Sequence, residues 1–370
     1  MSGGPSEVLA RAESELRALW SAPPASGETP KARASTMNLV VVASSPELAK
    51  SWVPVVDDVV QSVPARAILV GLDPDGPDAL EANVSAVCTP DASSGAALCS
   101  ERVDLTVRGG VCARLASCIT GLGRTDVPTT LVWLGRVHAD DPAFAPLALD
   151  ASRIVLDATH GSLAGLANIM YWARARPAAD RPGVADLAWT RLSTWQDLCA
   201  RIFDEPRLRP LATHVTAISV TQGGPPGSAL GPEGGLLLSW LATRLGWRAA
   251  SLAGKLRLLR DDGSPIGVTL KADPAAHVGR HDLQAVRIEA SAGGISLVGA
   301  IARDGDTASW KLDVKAPGGD AQHLEQRVRL LASDTARLLE RTLRRPAHDD
   351  ALAEAVAWAD LLRGEELACG

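Results

Sequence analysis

Met37-Asn38-Leu39-Val40-Val41-Val42-Ala43-Ser44-Ser45-Pro46 is the stretch that decides the fold. Its uncharged Val/Leu run has the length and composition of a strand. The Ser-Ser-Pro ending places Ser45 as a helix N-cap and Pro46 at the first helical position, so the strand runs straight into a helix. On the amino-terminal side, residues 6–20 repeat apolar side chains at Leu9, Ala12, Leu16 and Trp20, the period of an amphipathic helix, and a Pro/Gly/Ser-rich linker, Ser21–Pro30, follows. On the other side, Arg66–Val70, Ala82–Cys88, Arg102–Val107, Thr129–Leu134 and Arg153–Leu156 are short, aliphatic-rich runs, and helical stretches such as Val111–Leu122 separate some of them. The alternation predicts an α/β fold whose first domain holds a mixed sheet with helices packed on it.

Leu163–Arg176 and Asp186–Phe203 read as longer helices, and the Pro-rich break Arg176–Pro182 between them marks a domain boundary. Beyond it come a strand at His214–Thr221, a Gly/Pro loop, a helix at Leu236–Trp247 and alternating strands from Lys255 to Val314. Asp261-Asp262-Gly263, Gly293-Gly294 and Asp304-Gly305 punctuate these strands as hairpins, which predicts a second, α+β domain with a largely antiparallel sheet. Helices at Ala321–Arg344 and Asp349–Arg363 cover it. The expected organisation is a leading helix and linker over 1–35, an α/β domain over 36–180 and the α+β domain over 181–370.

Lys and Arg number 37 against 43 Asp and Glu, and the net charge of -6 repels a phosphate backbone, so nucleic acid is not an expected partner. Met1–Glu7 lacks the basic and apolar regions of a signal peptide, and no segment offers about 18 uncharged apolar residues in a row. The expectation is a cytoplasmic protein with no membrane contact. Six cysteines, at 88, 99, 112, 118, 199 and 369, form no C-x-x-C pair and have no histidine at zinc spacing. They read as free thiols. Cys112 and Cys118 do not share a face of one predicted helix, so a bridge between them is geometrically implausible, whereas Cys99, in a turn-like Ala-Leu-Cys-Ser-Glu run, is the more accessible thiol and the candidate for redox chemistry.

The enzyme-like constellation is Asp157, His160 and Ser162 after the strand Arg153–Leu156, at a strand-to-helix turn. It lacks the G-x-S-x-G spacing of a nucleophile elbow, and a serine just before a helix is commonly a cap. Gly223–Gly235 sits where a phosphate-cradling loop would, without a Walker or dinucleotide signature, and reads as a long surface loop. His277 and His281 have the spacing of helical metal ligands in a context that is not helical, so no metal is assigned. Asp140-Asp141 and Asp349-Asp350 read as turn and helix-start residues. No catalytic residue and no cofactor is assigned. Trp240 and Trp247 share a helix side and read as core. Trp189, Arg191 and Trp195 lie in a segment dense in Arg and Asp, the composition of either a core or an interface hot spot.

Four segments in order carry a family resemblance: Ala34-Ser35-Thr36-Met37-Asn38-Leu39-Val40-Val41, Pro64-Ala65-Arg66-Ala67-Ile68, Ala97-Leu98-Cys99-Ser100-Glu101, and Asp186-Leu187-Ala188-Trp189-Thr190-Arg191-Leu192 with Trp195. Together they resemble the OpcA family, the glucose-6-phosphate dehydrogenase assembly proteins of cyanobacteria and actinobacteria, from about Ala32 to Trp247. The chain departs from the family pattern at Val63-Pro64-Ala65-Arg66, where His-Pro-Ser-Arg is usual, and at Val132-Trp133-Leu134-Gly135, where paired tryptophans are common. The resemblance implies a protein that is not an enzyme. It would bind glucose-6-phosphate dehydrogenase, promote its oligomerisation or act as its allosteric activator, and so support NADPH supply through the oxidative pentose phosphate pathway. Trp189, Arg191, Trp195, Trp133 and Arg66 are then the candidates for that protein-protein contact. The competing reading is a sugar-phosphate-binding sensor or weak hydrolase built on Asp157, His160 and Ser162.

Overall fold

The computed structural model describes residues 4–21, 31–90, 97–226, 230–252, 255–274, 282–330 and 334–362. Met37–Ala43 behaves as its composition requires. In chain order come helix α1 (Pro5–Ser21), strands β1 (Lys31–Arg33) and β2 (Asn38–Ala43), helix α2 (Pro46–Ser62), strands β3 (Arg66–Asp73), β4 (Ala79–Pro90) and β5 (Ala97–Arg108), helix α3 (Leu115–Leu122), strand β6 (Thr129–Leu134), helix α4 (Phe144–Asp150), strand β7 (Arg153–Leu156), helix α5 (Leu163–Arg174) and strand β8 (Gly183–Asp186). There follow helices α6 (Leu187–Arg191) and α7 (Ser193–Arg201), strand β9 (Val215–Gly223), helix α8 (Pro232–Arg244), strands β10 (Arg248–Leu252), β11 (Lys255–Leu259), β12 (Pro265–Asp273), β13 (Leu283–Ala292), β14 (Ile295–Asp304), β15 (Thr307–Lys315) and β16 (Gln322–Arg329), and helices α9 (Thr335–Arg344) and α10 (Asp350–Leu362).

Contacts divide the chain into two compact units, one built from Met1–Gly161, Asn168–Leu187 and Asp334–His348, the other from Ser162–Ala167, Ala188–Ser333 and Asp349–Gly370. In the first unit the strands run in the order β1-β5-β3-β2-β6-β7-β8, parallel throughout, with β4 added antiparallel to β5. Both faces are covered, and every residue of β2 is buried. Trp52, Val56, Val59 and Val60 of α2 and Ala336, Leu339 and Leu343 of α9 pack with Leu39, Val41 and Leu69. On β6, Trp133 meets Phe144 of α4 edge-on, with 5.2 Å between ring centroids. The return of Asp334–His348 to this unit is pinned by Arg153, whose guanidinium donates to the carbonyls of Thr342 (3.1 Å), Leu343 (2.8 Å) and Arg345 (2.7 Å), the orphan acceptors at the end of α9.

The second unit holds a mixed sheet in the order β10-β11-β12-β9-β13-β14-β15-β16, antiparallel except for the β12/β9 pair. Strands such as β13 and β15 alternate buried with exposed or half-exposed residues. The three sequence-read hairpins turn where expected, with Gly263, Gly293, Gly294 and Gly305 all at positive φ. The helix expected over Ala321–Arg344 as a cover of the second sheet is not formed: Gln322–Arg329 is an edge strand, and the helix starts only at Thr335, capped by Asp334, and packs in the first unit. Cross-strand pairs hold that edge. Glu325 bonds Lys311 at 3.1 Å, His323 meets Asp313 at 2.6 Å, and Arg327 pairs with Asp304. Similarly, Asp186–Phe203 is a strand end and two short helices rather than one long helix, and Ala97–Glu101 is strand, not turn.

Candidate functional site

In an open, mostly parallel sheet, ligands sit beyond the carboxyl ends of strands where the order reverses, which here is between β2 and β6. Backbone segments approach one another closely there. Ser45 caps α2 by accepting from Leu48 N at 3.1 Å, and Pro46 offers no N–H there. Gly71, at the end of β3, approaches so closely that an added Cβ would lie 2.6 Å from Pro46 Cα, and a Cβ on Gly161 would lie 2.8 Å from the Gly135 carbonyl oxygen. In the neighbouring turn, local hydrogen bonds engage Asp157 and Ser162. Asp157 Oδ1 accepts from Thr159 N (3.1 Å) and Thr159 Oγ1 (2.5 Å), while Ser162 Oγ accepts from Gly165 N at 3.0 Å as an N-cap. His160 has its Nδ1 3.4 Å from Thr159 Oγ1. Asp157 and Ser162 thus each accept from a backbone N–H two or three residues on.

The aromatic candidates lie inside. Trp189 and Trp195 are each 4% exposed, the indole of Trp189 donates to Asp349 at 2.8 Å, and Trp133 donates to the Arg136 carbonyl at 3.2 Å. The half-exposed tryptophans that a hot-spot reading expects are core residues here. Arg191 is paired with the buried Glu233 at 2.8 Å, and Glu233 also accepts from Leu283 N at 3.0 Å. Burial pushes the Glu233 carboxyl above its usual range, while Arg191 opposes that shift. Trp247 is buried and Trp240 half-buried. Asp141 and Asp349 each accept from backbone N–H groups at helix starts.

Cys99 is neither free nor exposed. It is disulfide-bonded to Cys88, directly opposite on the antiparallel β4/β5 pair, and that register, invisible in a spacing of 11 residues, brings the two together. Cys112, Cys118 and Cys199 are buried free thiols, and burial pushes Cys199 up to about 12. His277, His281 and Cys369 lie outside the described residues, as does Gly227–Ala229 within the Gly-rich loop. Within that loop Gly231 N donates to Gln222 Oε1 at 2.7 Å. Among the described residues no cluster of three His, Cys, Asp or Glu could hold a metal ion, and no helix is long and apolar enough to cross a membrane.

Arg66 is the one candidate that faces an open cleft. The cleft measures about 440 Å³ and lies at the amino end of the first sheet, lined by Glu13, Leu16, Arg17 and Trp20 of α1, Arg33, Arg66, Glu101 and Gly121. Arg66 and Glu101 are register partners on β3 and β5. The buried Glu101 carboxylate accepts from Arg66 Nε (2.7 Å), Arg33 Nη2 (2.9 Å) and the Trp20 indole, and Arg66 Nη1 also donates to the Leu122 carbonyl at 2.7 Å. The Arg33 guanidinium lies 6.0 Å from the Trp20 ring centre. Sequence reading marked Arg66 alone, because the partners come from four segments that only the fold unites.

Two family models match the chain in order, the N-terminal domain of the glucose-6-phosphate dehydrogenase subunit OpcA over residues 56–171 and its C-terminal domain over 182–356. The chain belongs to the OpcA family. The match reaches well past Trp247, where recognisable motifs ended. The OpcA protein of Synechocystis sp. is 26% identical over 87% of this chain and 68% of its own length, and that of Nostoc punctiforme 25% over 64% and 52%. The chain thus spans about half to two thirds of these OpcA relatives. Among solved structures, a 3-ketoreductase from Actinomadura kijaniata aligns over 90% of this chain and 98% of its own at 10% identity with a TM-score of 0.46, too remote to bear on the chemistry of an OpcA family member.

Proposed function

We propose that this chain is a non-catalytic assembly factor and allosteric activator that binds glucose-6-phosphate dehydrogenase and promotes its oligomerisation or activity in the oxidative pentose phosphate pathway. The observation that carries this reading is the ordered match to both domains of a family named for that enzyme. Two features support it. Asp157 and Ser162 accept local hydrogen bonds as turn and cap residues, and the second unit's sheet keeps a row of mostly small and charged side chains on its less buried face.

An activator shifts its target only by binding the active state more tightly than the inactive one; a tenfold difference in affinity corresponds to about 1.4 kcal/mol. Stabilising a tetramer and lowering a substrate KM are two readouts of that one difference. The test is size-exclusion chromatography with light scattering on this chain, the cognate dehydrogenase and their mixture. Co-elution at a mass above the enzyme alone is expected, and separate elution at excess of this chain contradicts the proposal.

A further inference from the structure

We propose that the cleft between α1 and the amino ends of β3 and β5 binds a small phosphate monoester carrying a ring, with Arg33 and Arg66 on the phosphate and Trp20 against the ring. This inference goes beyond the assembly reading and stands without it.

The cleft is a built site. Glu101, almost wholly inaccessible, orders three cleft-lining groups at once by accepting from Arg66, Arg33 and Trp20. Arg66 is further fixed by the Leu122 carbonyl, and the Arg33 guanidinium lies near the Trp20 ring. Holding two guanidiniums beside one another costs repulsion and side-chain entropy, and one buried carboxylate has already met that cost before any ligand arrives. The frame consumes Arg66 Nε, Arg66 Nη1 and Arg33 Nη2. The remaining N–H groups of the two forks are donors for an anion, and forked donors suit phosphate oxygens better than a point charge does.

Charge and size narrow the ligand. The lining holds three arginines against two glutamates, so one positive charge is left for an anion. A volume of about 440 Å³ falls within the range of roughly 300–1,000 Å³ that small-molecule sites occupy. The indole and the Leu16 side chain add an apolar wall that inorganic phosphate would leave unused but a sugar or base ring would cover. The location also sets this cleft apart from the switch point, because it lies at the opposite end of the same strands.

The test uses the full chain alone, by isothermal titration with glucose 6-phosphate, inorganic phosphate and glucose as probes. Glucose 6-phosphate is expected to bind, inorganic phosphate about tenfold more weakly, and glucose not measurably. Arg33→Gln should weaken glucose 6-phosphate binding about tenfold while the variant still unfolds in one cooperative transition, whereas Arg287→Gln in the other unit should leave binding unchanged. Three results would overturn the proposal: no heat with either phosphate at millimolar concentration, equal binding by the Arg33→Gln variant, or a poly-glutamate peptide displacing glucose 6-phosphate at lower concentration. The last would make the cleft a docking point for an acidic protein segment. Because the dehydrogenase is absent, failure here leaves the co-elution result unaffected.

Discussion

The central strands of the first unit's sheet are buried on both faces, and those of the second unit's sheet on one. In β3 six consecutive residues are buried, whereas in β15 buried and accessible positions alternate. The cause is topological, since parallel strands need crossovers whose helices cover both faces, while hairpins need none. Change is tolerated unequally: nearly any alteration in β2 or the middle of β3 disturbs packing, while in β13 and β15 about every other position is accessible.

Paired substitutions of neighbouring residues break or sharpen that contrast most strongly. In the first sheet Ile68 and Leu69 point to opposite faces and both are buried, so Ile68→Ala and Leu69→Ala should each cost about 2–5 kcal/mol by urea unfolding. In the second sheet Ile288→Ala should cost the same, but Arg287→Ala next to it should stay within about 0.5 kcal/mol. A large loss at Arg287 would mean that its face is covered. Glycines give a smaller version of the same test. A Cβ on Gly183 of β8 would lie 2.2 Å from the Ala347 carbonyl oxygen, and one on Gly267 of β12 would make ordinary contact 3.6 Å from Ala217 Cβ. Gly183→Ala should cost about 1–3 kcal/mol, and Gly267→Ala should range from neutral to about 0.5 kcal/mol stabilising.

Sequence showed these sheets unequally, for physical reasons. The strand-cap-proline succession at Val42, Ser45 and Pro46 and the hairpin glycines are local signals, and both were read correctly. β16 was misread as helix because Gln, His, Leu, Glu and Arg carry no β-branched pattern, and only pairing with β15 makes them a strand. The cleft was legible only as Arg66. Glu101, Arg33 and Trp20 lie in separate segments, and charge pairs between them leave no spacing to recognise. The tryptophans at 189 and 195 carried the composition of an interface, and burial alone shows them to be core.

The smallest expected effect concerns Glu233, a carboxylate buried in the second unit. Burial raises the Glu233 pKa against the opposing pull of Arg191, so its folded value lies above the unfolded one. The associated stability is complete below the unfolded pKa and is lost as pH rises through the folded pKa. The stability of Glu233→Gln relative to the native chain should therefore improve as pH rises from the ordinary carboxylate range toward neutral. Urea midpoints of both proteins across that range check it, and a gap that moves the other way would mean that Glu233 is held ionised.

The proposed activation of glucose-6-phosphate dehydrogenase by this chain is open to direct assay. Its most direct test is the cognate glucose-6-phosphate dehydrogenase assayed over a glucose 6-phosphate series, with and without this chain in excess. A lower KM or a higher kcat in its presence is the predicted result, and superimposable curves at every substrate concentration would contradict the claim.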